Sequence, residues 1–158
     1  MKALTLWRPW ASLVVAECKP YEFRGWRAPA RIIGERIVVH ASARKPDSRE
    51  VEQLLRLLRA GGRFAAQTCL TPIEVAIEVL ELGEWPLGAG LGTALVGEPR
   101  SGVDIGVDFG AIRVNDSSRD YHANWGWPMR EVERWTAPIA VRGAQGLWNW
   151  PTPATVSL

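Results

Sequence analysis

Apolar residues in this chain come in short runs that recur at no fixed interval, and this pattern most restricts the fold. KALTL (2–6) alternates apolar and polar residues, as a strand with one buried face does. Ile37-Val38-Val39, inside ERIVVHASA (35–43), reads as a buried strand. PIEVAIEVLEL (72–82) sets Ile73, Val75, Ile77 and Val79 against Glu74, Ala76 and Glu78, which predicts a further strand. YEFRGW (21–26) is predicted to be extended, Tyr121 to Trp135 to form a strand bulged near Pro128, and APIAVR (137–142) to form another. Helices fall between them. One is predicted from Pro9, whose missing amide costs nothing at a first helical position, to about Glu17, with Trp10, Leu13, Val14 and Glu17 on one side. The clearest begins at Asp47, which makes a capping box with Glu50. It continues through Val51, Leu54, Leu55 and Leu58 to Gly61-Gly62. Residues 83–118 hold eight glycines and are predicted to be mostly loop. Strands outnumber helices without regular alternation. The expected fold is α+β, a small, mixed, partly closed β-barrel with flanking helices.

At 158 residues the chain is expected to form a single domain over 1–150, with a Gly-rich insertion at about 83–118 and a C-terminal tail at 151–158. With 47% hydrophobic and 23% charged residues, its composition is globular rather than disordered. No apolar run approaches the roughly 20 residues that cross a bilayer, so no membrane partner is expected. MKALTLWRPW has neither the apolar stretch nor the cleavage site of a leader, which predicts a cytoplasmic protein with Cys18 and Cys69 reduced. Two distant cysteines and two isolated histidines lack ligand spacing, so neither a metal nor another cofactor is expected.

Charge is unevenly spread. Residues 1–45 carry nine Lys or Arg against three Asp or Glu, whereas residues 61–120 carry four against nine. A basic first third suits a surface that meets phosphate, although folding could equally scatter these charges. Within it, Lys19, Glu22 and Arg24 crowd six positions. In an extended segment Glu22 and Arg24 share one face, Tyr21 and Phe23 the other, and Lys19 approaches from the preceding turn. As a binding device, Lys19 and Arg24 would contact phosphate while Glu22 accepts from a base edge or ribose hydroxyl. As a catalytic device, Lys19 would serve as nucleophile or general base, with Glu22 passing the proton and Arg24 or a backbone amide stabilising an oxyanion. The purely structural alternative is an ion-pair network holding the helix–strand corner.

The aromatic residues divide similarly. Trp7, Trp10 and Trp148 read as core or cleft wall, whereas Trp26, Trp125 and Trp127 lie beside charged or Gly-rich segments where one could stack on a base. His40 follows a buried run and reads as a satisfied core histidine. Cys18 adjoins Lys19, without a nearby histidine base, and reads as inert. Arg142 and Gln145, in RGAQGLW, are polar groups in a packing-rich segment, and Gly143 and Gly146 predict a tight turn that could line the same cleft.

Four segments together resemble the ASCH domain, the activating signal cointegrator homology domain of the PUA-like superfamily. They are ALTLWRPWASLVV (3–15), KPYEFRGWRAP (19–29), RIVVHASARKP (36–46) and APIAVRGAQGLWNW (137–150). In the family signature G-x-K-x-x-E-x-R, the last three fixed residues fall on Lys19, Glu22 and Arg24, while Glu17 replaces the glycine. Glu cannot enter a left-handed turn without strain, so the turn is expected to be built differently or the helix to end one residue later. The resemblance implies a PUA-like barrel that binds single-stranded or structured RNA, or a modified nucleoside, in a cleft beside the signature. Lys19, Glu22, Arg24, Trp26, Arg142 and Gln145 are its candidate ligand-binding residues. It also implies an enzymatic alternative with Lys19 and Glu22 as catalytic residues, either an N4-acylcytidine amidohydrolase or a metal-independent ribonuclease. In the acetylcytidine-hydrolysing branch a threonine occupies the position that Glu22 holds here, so only Lys19 matches in place.

Overall fold

A computed structural model describes residues 1–111, 114 and 123–151. The architecture is α+β. Among the described residues, seven strands make one curled sheet, a half-barrel, accompanied by several α-helices, some packed on the sheet and others on those helices. In chain order the elements are β1 (Lys2–Leu6), α1 (Trp10–Val15), β2 (Tyr21–Arg24), a 3-10 turn (Ala30–Ile32), β3 (Arg36–Ala41), α2 (Ser48–Ala60) and α3 (Gly62–Ala66). They continue with α4 (Ile73–Leu82), β4 (Ala89–Val96), β5 (Arg100–Ser101), α5 (Gly102–Phe109), β6 (Trp125–Ala140) and β7 (Leu147–Asn149). The sheet runs β2-β6-β4-β3-β1-β7, with β5 pairing β6 as well. Among the described residues only β1 and β3 pair in parallel, in a register from Ala3↔Val38 to Leu6↔Ala41.

Period-two alternation explains which side of the sheet faces the core. Leu4 and Leu6 of β1, Ile37, Val39 and Ala41 of β3, and Ala94 and Val96 of β4 meet Ala11, Val14 and Val15 of α1 in the main core. The opposite side of α1 presents Leu13 to Leu54 and Leu58 of α2 and to Ala76 and Leu80 of α4, forming a second cluster. A third cluster, built on Phe23, Cys69, Ile105 and Val114, lies beneath α5. The cap of α2 is as expected in part: the Asp47 side chain accepts from the Arg49 amide at 2.9 Å, and the helix ends at Gly61.

Several elements differ from expectation. Within 72–82, Ile73–Leu82 forms helix α4 rather than a strand, because Ile73, Ala76, Ile77 and Leu80 also recur at helical spacing and find α2 and α1 to pack on. The stretch 83–118, expected to be mostly loop, contains the central strand β4, the short β5 and helix α5. The two strands expected around 121–142 are one continuous strand, β6, whose N-terminal part pairs with β2 and β5 and whose remainder pairs with β4. Its irregularities lie not at Pro128, which pairs in register with Tyr21, but beyond it, where Glu131 takes a positive φ of 46°. Helix α1 ends at Val15, short of Glu17, and Pro9 is its cap rather than its first residue. Tyr121 and His122, at the expected start of the long strand, and residues 152–158 of the expected tail lie outside the described residues.

Candidate functional site

Local chain geometry sets Lys19, Glu22 and Arg24 at the junction of α1 and β2. Beyond α1, Glu17 itself adopts the left-handed conformation (φ 59°) open to a glycine, so the turn is neither built differently nor reached one residue later, contrary to expectation. The Leu13 carbonyl accepts from the amides of both Cys18, at 3.1 Å, and Lys19, at 3.2 Å, and this folds the chain back beneath the helix. The Pro20 carbonyl then accepts from the Met129 amide at 2.9 Å, starting the pairing of β2 with β6.

Lys19 is 2% exposed, with its ammonium 4.9 Å from the Trp10 ring centroid and 5.0 Å from that of Phe23, both cation–π distances. Glu22 lies opposite Trp127 in the β2–β6 ladder and is 7% exposed. Arg24, on the same strand face, places Nε 3.2 Å from Glu22 Oε1 and donates from Nη2 to the Thr5 carbonyl at 3.0 Å. Pairing of β1 with β7 stops at Leu4↔Leu147, so Thr5 lies just past that ladder, where Arg24 reaches it. Arg24 thus closes the half-barrel, linking β2 at one edge to β1 on the other side of the opening.

Thr5 is also where the RGAQGLW segment arrives. Its hydroxyl oxygen accepts from the Trp148 indole N–H at 2.9 Å and lies 3.2 Å from His40 Nδ1. His40 Nε2 lies 2.8 Å from the Val141 carbonyl, which can only accept. The imidazole proton is therefore assigned to Nε2, and the Thr5 hydroxyl donates to Nδ1. Burial pushes the His40 pKa below its ordinary value, opposed by the Val141 bond, so this buried histidine is satisfied in its neutral form. Gly143 is required by close approach: a Cβ there would lie 2.4 Å from His40 Cε1. The signature and this segment therefore meet on one residue, although the Arg142 and Gln145 side chains are themselves exposed.

The tryptophans sort only in part as expected, Trp10 and Trp148 being packed and partly buried. Trp127 is fully buried and donates from its indole N–H to the Trp26 carbonyl at 3.1 Å, which removes it as a base platform. Trp26 packs edge-on against Trp127 with centroids 4.8 Å apart and is 43% exposed, so it can receive a ligand next to the corner. Trp125 is half-buried, beneath the Arg27 guanidinium. Trp7, expected as core or cleft wall, is 50% exposed.

Arg8 was not singled out by the sequence reading, yet it is buried. It donates from Nε to the Pro86 carbonyl at 3.0 Å, and from its terminal nitrogens to that carbonyl and to the Ser12 hydroxyl. It ties the segment entering β4 onto α1, and desolvation lowers its pKa to about 10, which still leaves it charged at neutral pH. Thr5 was also missed; alternation in KALTL, which sets it apart from Leu4 and Leu6, was the available signal. Cys18 is buried and its thiol is pushed up to about 11, chiefly by desolvation, so it is protonated and inert.

A surface hollow of about 560 Å³ is lined by Lys45, Val51, Leu80, Trp85 and Leu87 among others, and another of about 250 Å³ by Lys2, Arg31, Glu35 and Arg36 among others. Neither is lined by any of the expected site residues. Among the described residues no group of three or more His, Cys, Asp or Glu side chains is placed to hold a metal ion, and no helix is long and apolar enough to cross a membrane. No family model matches the chain, and no curated protein matches it.

Proposed function

We propose that this chain is an ASCH-type, PUA-like domain that binds RNA or a modified nucleoside at the corner formed by Lys19, Glu22 and Arg24. One observation carries the reading. Three charged side chains stem from one helix–strand junction, Lys19 set against the Trp10 and Phe23 rings and Arg24 against Glu22, with Lys19 and Glu22 almost wholly withdrawn from water. Withdrawing charge from water is costly, and apolar residues of similar volume would stabilise such a corner as well or better. Charges retained under that cost are candidates for ligand recognition. Beside them, the partly exposed Trp26 offers an aromatic face, and Glu22 offers the acceptor that an exocyclic amino group needs.

The test uses variants that keep the volume of the corner, Lys19→Met and Glu22→Gln, alongside wild type. Affinity for single-stranded RNA and for N4-acetylcytidine would be measured across a salt series, with folding checked by circular dichroism. Binding that persists at moderate salt and falls at least about tenfold in either variant supports the proposal. Equal binding by all three proteins would leave the corner with a structural role only. Release of cytidine or cleavage of RNA by wild type would replace binding with the hydrolase reading.

A further inference from the structure

The chain carries a second aromatic platform beyond the signature. Trp7 lies one residue past the last β1–β3 pair, Leu6↔Ala41, at the carboxyl end of the parallel strands. Arg44, three residues past the same pair on the β3 side, places its guanidinium carbon 4.3 Å from the Trp7 ring centroid. The Arg44 amide donates to the Ser42 hydroxyl at 3.3 Å, and the Ser42 amide to the Leu6 carbonyl at 2.9 Å, so both residues are anchored to one pair of strands. Arg44 and its neighbour Lys45 are exposed, and Trp7 keeps half its surface in water. A planar cation on an exposed indole, with a second cation beside it, is the chemistry that holds an unpaired base and its phosphate.

The topology relates this platform to the signature. Arg24 grips Thr5, Trp7 lies two residues beyond Thr5, and Trp26 lies two residues beyond Arg24. Three antiparallel steps (β2 to β6, β6 to β4, β4 to β3) followed by one parallel step (β3 to β1) make β1 and β2 run oppositely. The two indoles therefore leave the Arg24–Thr5 bond in opposite directions along the seam. Two residues on each strand, if extended, offset them by about 13 Å along the seam, and the step across the Arg24–Thr5 bond adds to that. A single nucleoside cannot engage both; a strand of several nucleotides can. We infer that Trp7 and Arg44 form a second base-stacking subsite, and that the ligand of the signature corner is an unpaired RNA strand rather than a free nucleoside. This rests on the reading of the corner given above.

The experiment compares a single-stranded RNA of roughly eight nucleotides, the scale of one small-barrel site, with cytidine monophosphate. Each is titrated into wild type, Trp7→Ala, Trp7→Phe and Arg44→Gln. Trp7→Ala is expected to weaken oligonucleotide binding by roughly 5- to 100-fold, the range for loss of one stacked base, and to leave mononucleotide binding unchanged. Trp7→Phe should recover most of the loss, and Arg44→Gln should lower the salt slope by about one counterion. If wild type binds the mononucleotide as tightly as the oligonucleotide, or if Trp7→Ala binds the oligonucleotide like wild type, the inference fails and the corner's proposed role stands. If wild type binds neither probe, both fail together.

Discussion

The guanidinium of Arg24 donates to the Thr5 carbonyl at 3.0 Å while its Nε lies 3.2 Å from Glu22, so one side chain joins β2 to the far side of the half-barrel. Among the described residues no backbone ladder joins β1 to β2. A hydrogen bond from a charged group contributes roughly 1.5–3 kcal/mol. Arg24→Gln is therefore expected to lower the unfolding free energy by about 2 kcal/mol. Arg24→Lys should restore little, because a point ammonium cannot serve both Glu22 and Thr5 with the geometry of a guanidinium. Urea denaturation reads this directly; a midpoint for Arg24→Gln equal to wild type would mean that the contact does not hold the barrel closed.

Gly143→Ala tests the other side of Thr5. The added methyl would lie 2.4 Å from Cε1 and 2.7 Å from Nδ1 of His40, in an imidazole held at both nitrogens. Neither the ring nor the β6–β7 connection can yield without losing a hydrogen bond. The expected cost is about 2 kcal/mol, within the range for overpacking a well-filled site. Thermal melts supply the number, and imidazole resonances would report the displaced ring. An unchanged melting temperature would show that the loop relaxes freely and that the close approach is not needed.

The parts of the fold legible in the sequence were those whose pattern admits one reading. KALTL alternates, Ile37-Val38-Val39 is a short β-branched run, and the helix from Asp47 is capped; all three formed as expected. Segment 73–82 carries two periodicities, since its apolar residues satisfy both alternation and a helical stripe; only packing against α2 and α1 selects the helix. Strand β4 was hidden for a different reason. Its glycines look like loop formers, yet a Cβ at Gly90 would lie 2.6 Å from Trp150 and 2.7 Å from Trp135, so the glycine makes room for indoles far along the chain. No local window contains that contact. At the site, spacing alone brought Lys19, Glu22 and Arg24 together, but it could not show that Arg24 is engaged by Thr5, or that Trp127 is core while Trp7 is half in water.

Glu17 gives a prediction of opposite sign. It is exposed and holds φ at 59°, a conformation in which a side chain costs roughly 1–2 kcal/mol and a glycine costs none of it. Glycine loses more backbone freedom on folding, so the net gain for Glu17→Gly is expected to be smaller, about 0.5–1 kcal/mol. In a chain of this size that raises the melting temperature by roughly 1–4 °C. Glu17→Asn should fall between the two. A Glu17→Gly variant that melts below wild type would mean that the glutamate side chain contributes more than its backbone strain costs.

His40 ties stability to pH, and the direction follows from its hydrogen bonds. In the folded chain the neutral ring donates to Val141 through Nε2 and accepts from Thr5 at Nδ1, while Thr5 accepts from Trp148. A second proton on the ring would displace the one that Thr5 donates. Desolvation works in the same direction and holds the pKa below the ordinary 6.5. The unfolded chain takes up its proton near 6.5, whereas the folded chain does so only at lower pH. The stability that His40 contributes is thus fully present above about pH 6.5 and is lost as pH falls toward the folded-state value. His40→Gln retains a donor for Val141 but cannot titrate. Melting temperatures followed from about pH 8 down to about pH 5 should show wild type losing stability faster than this variant, so the difference between them narrows in acid. Parallel curves across that interval would mean that His40 does not carry the pH dependence.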